Sequence, residues 1–154
     1  MLFLVFHLGS DRYAIDAGQV VEVLPIVNVK HIPHAFAGVP GVFDYHGAPV
    51  PLIDLTELAL GKPSRTWMST RIVLVNYCVE PGQTHLLGLL AERATETLRR
   101  TEEDFTDSGV AVPDASYLGA VATDAVGIVQ RIEIRNLLPD HVRNHLFLER
   151  IGPA

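Results

Sequence analysis

The opening of the chain is apolar on both strand faces. Leu2, Leu4, Phe6 and Leu8 share one face, and Phe3 and Val5 share the other. A strand of this kind is covered on both sides, which predicts a place between two layers. Gly9-Ser10-Asp11 turns the chain into a second run, Arg12 to Asp16. Val20 to Leu24 is a third β-rich run, interrupted by the single charge of Glu22 and stopped by Pro25. From Ile26 to Ala37 the pattern weakens into a connection, with one helical turn at His34-Ala35-Phe36. The segment from Gly38 to Leu58 organises the rest. Gly41 to Tyr45 reads as a strand, His46-Gly47 as its turn, and Val50, Leu52 and Ile53 as the return strand. Asp54 ends that strand and caps a helix over Leu55 to Leu60, which Gly61 closes and Lys62-Pro63 terminates. Pro49 and Pro51 have no N–H for a ladder, so one edge of the return strand is unpaired or bulged.

The second half has the same vocabulary. Gly61 to Ser69 is rich in breakers and polar residues and marks a joint. Arg71 to Val79 is a β run, Glu80-Pro81-Gly82-Gln83 a hairpin loop, and His85 to Ala91 the return strand. Ala94 to Leu98 follows. Arg99 to Pro113 is polar and acidic, a long surface loop. Tyr117 to Thr123, a turn at Asp124-Ala125 and Val126 to Ile134 repeat the hairpin form. Asp140 caps a last helix reaching Arg150, with Val142, Leu146 and Phe147 on its apolar side. A faint repeat runs through the chain. Val20-Val-Glu22-Val-Leu24 aligns with Ala94-Thr-Glu96-Thr-Leu98, and Ile15 aligns with Leu89 at the same offset. Gly41-Val42, Asp54-Leu55 and Leu58 align with Gly119-Ala120, Glu133-Ile134 and Leu137. Short strands with Gly- and Pro-rich turns favour small closed barrels, because closure removes exposed edges. The prediction is an all-β fold of two small five-stranded, SH3-like β-barrels packed side by side, with short helical turns and a C-terminal helix. Roughly, residues 10–62 form the first barrel, 1–9 and 70–139 the second, and 140–150 the helix.

Composition narrows the function. The chain has 154 residues, 48% hydrophobic and 19% charged, enough for a real core. A net charge of −6 leaves no basic footprint for phosphate backbones and excludes nucleic acid as a partner. The single cysteine, Cys78, suits a reducing compartment and reads as a small core residue with no adjacent base. Met1 to Leu8 lacks a basic region and a cleavage site and is too short to span a bilayer, so the chain reads as cytoplasmic with no direct membrane insertion. No nucleophile elbow, P-loop or dinucleotide fingerprint is present. No catalytic residue and no cofactor is therefore assigned. His31, His34 and His46 lack the cysteine or well-spaced acid that would complete a zinc site. His141 and His145, one helical turn apart, read as solvated, and no metal is assigned. Asp16 and Asp54, at element ends, read as structural carboxylates.

Phe3-Leu-Val-Phe6, Leu8-Gly9, Tyr13-x-Ile15-Asp16 and Val20-x-Glu22-Val23 resemble the start of the CheW-like coupling proteins of bacterial chemotaxis. Pro33, Gly38 or Gly41, and Gly47-x-x-Val50-Pro51-x-x-Asp54-Leu55 continue the pattern. Gly88-Leu89-Leu90, Glu96, Tyr117-Leu118-Gly119 and Leu137-Leu138 complete it more loosely. The resemblance implies two β-barrel subdomains and an adaptor without chemistry of its own. Its implied partners are a CheA-type histidine kinase, joined barrel to barrel, and the cytoplasmic tips of methyl-accepting chemoreceptors. It places the partner surfaces on and around the first barrel, near Val20, Glu22, Gly41 and His46. Val23, Leu24 and Ile26 join these because the first barrel has more apolar residues there than one strand face needs.

Three departures stand out. At the hairpin tip, where family members usually have Asn-Leu-Arg-Gly, the chain has Asp44-Tyr45-His46-Gly47. Ala91-Glu92 replaces the usual Val-Asp, and Arg131-Ile132-Glu133 the usual Leu-Leu-Asp. A paralogue in a parallel system such as twitching motility fits as well as swimming chemotaxis. Histidine is neutral for much of the time near pH 7, so a permanent Arg–Glu pair becomes a conditional His46–Glu22 pair if the two are close. Two other classes stay open. One is a detached regulatory domain that competes for receptors. The other is a small histidine-dependent metalloenzyme, which requires a deep pocket with convergent polar groups and a shifted histidine pKa.

Overall fold

A computed structural model describes residues 1–147, the side chain of Val79 apart. Ten strands carry the fold. They are β1 (Leu2–Leu8), β2 (Asp11–Asp16), β3 (Val20–Leu24), β4 (Val29–His31), β5 (Gly41–Tyr45) and β6 (Ala48–Asp54) in the first half. Helix α1 (Leu55–Leu60) follows, then β7 (Arg71–Glu80), β8 (Gln83–Arg99), β9 (Leu118–Thr123), β10 (Ile128–Ile132) and helix α2 (Asp140–Arg143).

Local chemistry accounts for the first-half elements. His46 (φ 51°) and Gly47 (φ 89°) are both left-handed, the geometry of a two-residue turn between Tyr45 and Ala48. Because Tyr45 and Ala48 flank that turn, Ala48, Val50 and Leu52 bond β5, and the prolines at 49 and 51 face the other way. On that other side, among the described residues, β6 has no ladder partner until Leu52, where a parallel ladder with β8 begins (Leu52–Gly88 to Asp54–Leu90). Asp54 Oδ1 then accepts from the N–H groups of Thr56 and Glu57 at 3.1 and 3.2 Å, and Gly61 closes α1 in the left-handed conformation.

The strands form two sets. β3, β4, β5, β6, β7 and the first half of β8 surround one core of Phe43, Val50, Leu52, Ile72 and Leu74. β1, β2, β9, β10 and the second half of β8 surround a smaller one of Phe3, Ala14 and Val129, with Leu98 and Phe105 against it. Between the sets lies the largest cluster, including Leu4, Phe6, Leu8, Ile15, Ile53, Val75, Tyr77 and Leu89. β1 thus gives Phe3 to one barrel and Leu4, Phe6 and Leu8 to the layer between, as its two apolar faces require. The all-β class with two SH3-like halves stands, but the barrels are not closed: among the described residues no ladder joins β3 to β4, or β8 to β9.

The pairing also crosses the two sequence repeats. β2 bonds β1 and β10 in the second set, and β7 bonds β3 and β8 in the first. The sequence repeat explains this. In each repeat the leading hairpin (β1–β2, and β7 with the start of β8) joins the barrel of the other repeat. The correspondences are close: β3 runs antiparallel to β7 as the second half of β8 runs antiparallel to β1. Likewise β6 is parallel to β8 as β10 is parallel to β2. Residues 83–99, expected as two strands, are one strand that leaves one barrel and enters the other. The C-terminal helix is shorter than expected. α2 spans Asp140–Arg143, and the rest of the expected helix up to residue 147 is turn, the remainder lying outside the described residues. Cys78 is exposed, its Sγ 3.1 Å from the Glu80 carbonyl oxygen, which corrects the core reading. It alternates with the buried Tyr77 near the hairpin end of β7, where only one face is covered.

Candidate functional site

The predicted site residues separate into three groups. Val20 and Leu24 are half-buried, Val20 against the cluster between the barrels and Leu24 against the Phe43 core. Gly41 is buried, and an added Cβ would lie 2.0 Å from the carbonyl oxygen of Lys30 and 3.0 Å from His31 Cα. Its role is to let β4 lie against β5. The third group, Glu22, Val23, Ile26 and His46, is exposed.

β3 makes the exposed group a surface. It pairs with β7 alone, so its other edge has no ladder partner among the described residues. A bulge between Val20 and Glu22 sets the register of the rest of the strand. Leu24 then turns inward with Glu22 on the same side at the mouth of the barrel, and Val21 and Val23 turn outward. Val21 is 46% exposed and Val23 41%, on an edge where natural sheets usually place charge or proline. Ile26 and Ile32 are also exposed.

The hairpin tip is tied to this edge. Tyr45 donates its hydroxyl to Glu22 Oε2 at 2.7 Å, across the gap that no ladder spans. That bond to a carboxylate raises the Tyr45 pKa above its ordinary value. The His46 ring stands edge-on to Tyr45, 4.4 Å between centroids. The conditional His46–Glu22 pair is therefore replaced: the carboxylate is held by a neutral phenol, and His46 packs on the phenol. Sequence reasoning did not single out Tyr45 or Val21. Tyr45 was visible as one of the residues that depart from the family tip. Val21 required knowledge of the β3 bulge, which no sequence pattern announces.

Histidines and cavities bear on the enzyme alternative. Among the described residues no group of three or more His, Cys, Asp or Glu side chains is placed to hold a metal ion. His141 and His145 both pack on Phe36, each with ring centroids 5.6 Å away. A cavity of about 1030 Å³ lies between the 107–116 loop and β9, and Asp107 is the one titratable group in its lining. The His7 pKa is lowered by burial and then by Arg93, and His7 lines a separate cleft of about 320 Å³ at the joint. Among the described residues His7 makes no hydrogen bond to a hydroxyl there, the contact by which a base activates a nucleophile.

No helix among the described residues is long and apolar enough to cross a membrane. Residues 2–142 match the family model described as the CheW-like domain. The chain is similar to the chemotaxis protein CheW of Treponema pallidum, 24% identical over 87% of this chain and 79% of that one. It is 28% identical to the chemotaxis protein CheW of Helicobacter pylori, over 66% of this chain and 59% of the relative. The match to the chemotaxis protein CheW of Klebsiella aerogenes is also 28% identical, over 66% of this chain and 58% of the relative. Its fold is that of the scaffolding protein TtCheW from Thermoanaerobacter tengcongensis. That crystal structure superposes with a TM-score of 0.77 at 21% identity, covering 92% of this chain and 89% of the other. With a match over nearly its whole length, a two-barrel architecture and a shared fold, the chain belongs to the CheW-like domain family.

Proposed function

We propose that this protein is a non-enzymatic, cytoplasmic adaptor that couples chemoreceptors to a CheA-type histidine kinase in chemotaxis or a related motility pathway. Its partners are the kinase and the cytoplasmic tips of methyl-accepting receptors, and it works by raising their effective concentration. The observation that carries this reading is the free β3 edge. It presents Val21 and Val23 beside Glu22, and the Tyr45 bond fixes Glu22 at the barrel mouth. An apolar edge strand with a positioned charge suits docking, in which burial supplies affinity and the charge fixes register. Val20, Leu24 and Gly41 support this face from below, while Val23, Glu22, Ile26 and His46 meet the partner.

The test is a pull-down at moderate salt against the kinase and the receptor tips of the same cell. Glu22→Ala, Val23→Asp and His46→Arg are compared with the parent chain. Capture of both partners by the parent, weakened at least tenfold by Val23→Asp with folding unchanged, is the expected result. Capture of neither partner by the parent overturns the proposal. Gly41→Asp is unsuitable as a surface probe, because the β4 backbone occupies the space its side chain needs.

A further inference from the structure

We infer that the cleft at the joint between the two barrels binds a small organic phosphate through Lys62, Arg65 and Arg93. The cleft of about 320 Å³ is bounded by the end of β1, the Gly9-Ser10 turn, the segment after α1 and the middle of β8. Three permanent cations line it, in a chain whose net charge is −6. None of the three forms an ion pair among the described residues, so none is neutralised by a neighbouring carboxylate.

The one carboxylate in the lining is already committed. Glu92, 9% exposed, accepts from the Trp67 indole N–H at 2.7 Å on one oxygen and from the Thr56 hydroxyl at 3.0 Å on the other. Three positive charges against one negative leave a formal excess of two. That matches a phosphate monoester, which carries about −1.5 to −2 near pH 7. Guanidinium forks and a lysine point charge are the usual means of holding such a group.

The backbone is built for this arrangement. The β1–β8 register jumps from Val5–Glu96 to His7–Glu92, so β8 bulges at Arg93. Arg93 is left-handed (φ 51°), a conformation that costs energy in a long side chain. Bulges of this kind re-aim side chains next to sites. Ala94 N–H is fixed to the Ser69 carbonyl at 3.2 Å, which holds the bulge against the joint. Trp67, 44% exposed with Arg65 over its ring at 5.6 Å, forms an aromatic wall for the organic part of the ligand. The family departure to Glu92 thus acquires a purpose, since its carboxylate fixes the tryptophan.

Trp67 is the single tryptophan of the chain and reports on the cleft directly. The full chain is titrated with inorganic phosphate and with phenyl phosphate at constant ionic strength, and indole fluorescence is followed with succinate and chloride as comparators. Expected is a saturable change with a midpoint on the order of millimolar for phosphate and tighter for phenyl phosphate. Lys62→Gln and Arg93→Asn each weaken it about tenfold. Asparagine tolerates the left-handed backbone, and Lys62 is exposed, so both variants fold. A response absent with phosphate, equal with succinate, or unchanged in both variants overturns the assignment.

Discussion

Gly41 shows how much a single residue settles. Its missing side chain leaves room for the Lys30 carbonyl oxygen, which an added Cβ would approach to 2.0 Å. The obstacle is backbone, not a flexible side chain, so Gly41→Ala forces β4 away from β5. A loss of about 2–3 kcal/mol in urea unfolding is expected, as for other overpacked sites. A loss below about 0.5 kcal/mol would mean that β4 can move freely. Asp124 is the second case. Arg12 donates to both its carboxylate oxygens at 2.8 and 2.7 Å, and Val126 and Gly127 give backbone N–H bonds. The Arg12 bond, with the two N–H groups adding to it, holds the carboxyl far below its ordinary 3.8. The folded state then binds fewer protons than the unfolded one at acid pH, so stability rises with pH there. The contribution is complete above about pH 4 and is lost as pH falls below that toward the depressed value. Asp124→Asn is expected to cost about 2–3 kcal/mol at neutral pH, with a flatter stability curve below pH 4. Equal acid sensitivity in variant and parent would refute this.

Among the elements, β3 and β8 matter most. Among the described residues β3 keeps a free edge because the β4 strand that would close the barrel pairs only with β5. A two-sided apolar edge strand is an aggregation hazard unless something covers it. That hazard is the physical reason to read the edge as a docking face. Removing the Tyr45 hydroxyl cuts the link between this edge and the hairpin tip. Tyr45→Phe is expected to weaken partner capture two- to fivefold with the urea unfolding midpoint essentially unchanged, since the bond is exposed. Unchanged capture would show that Glu22 needs no positioning. β8 spans both barrels, and its bulge at Arg93 is the point where one sheet becomes the other.

For the whole molecule, the exchanged hairpins have a mechanical result. Neither repeat can complete a barrel from its own strands, because β1–β2 and β7 with the start of β8 pair across the repeat boundary. Fragments 1–69 and 70–154 are therefore expected to be unfolded apart, with no cooperative thermal transition by circular dichroism. Mixed, they are expected to recover one transition. A fragment that melts cooperatively alone would contradict the exchange. The cluster between the barrels, which draws Leu4, Ile53 and Leu89 from both repeats, makes the molecule one cooperative unit.

Much of this was legible in the chain. The double apolarity of Leu2 to Leu8, the His46-Gly47 turn and the Asp54 and Gly61 caps are short-range signals, each decided by a few neighbouring residues. The repeat was visible because both halves face the same local tasks. Tertiary structure alone decided where the hairpins pair, that β8 is continuous, that Glu22 bonds Tyr45, and that Lys62, Arg65 and Arg93 share a cleft. These depend on contacts between residues far apart in sequence. Periodicity specifies which face of an element is buried, but not which partner buries it.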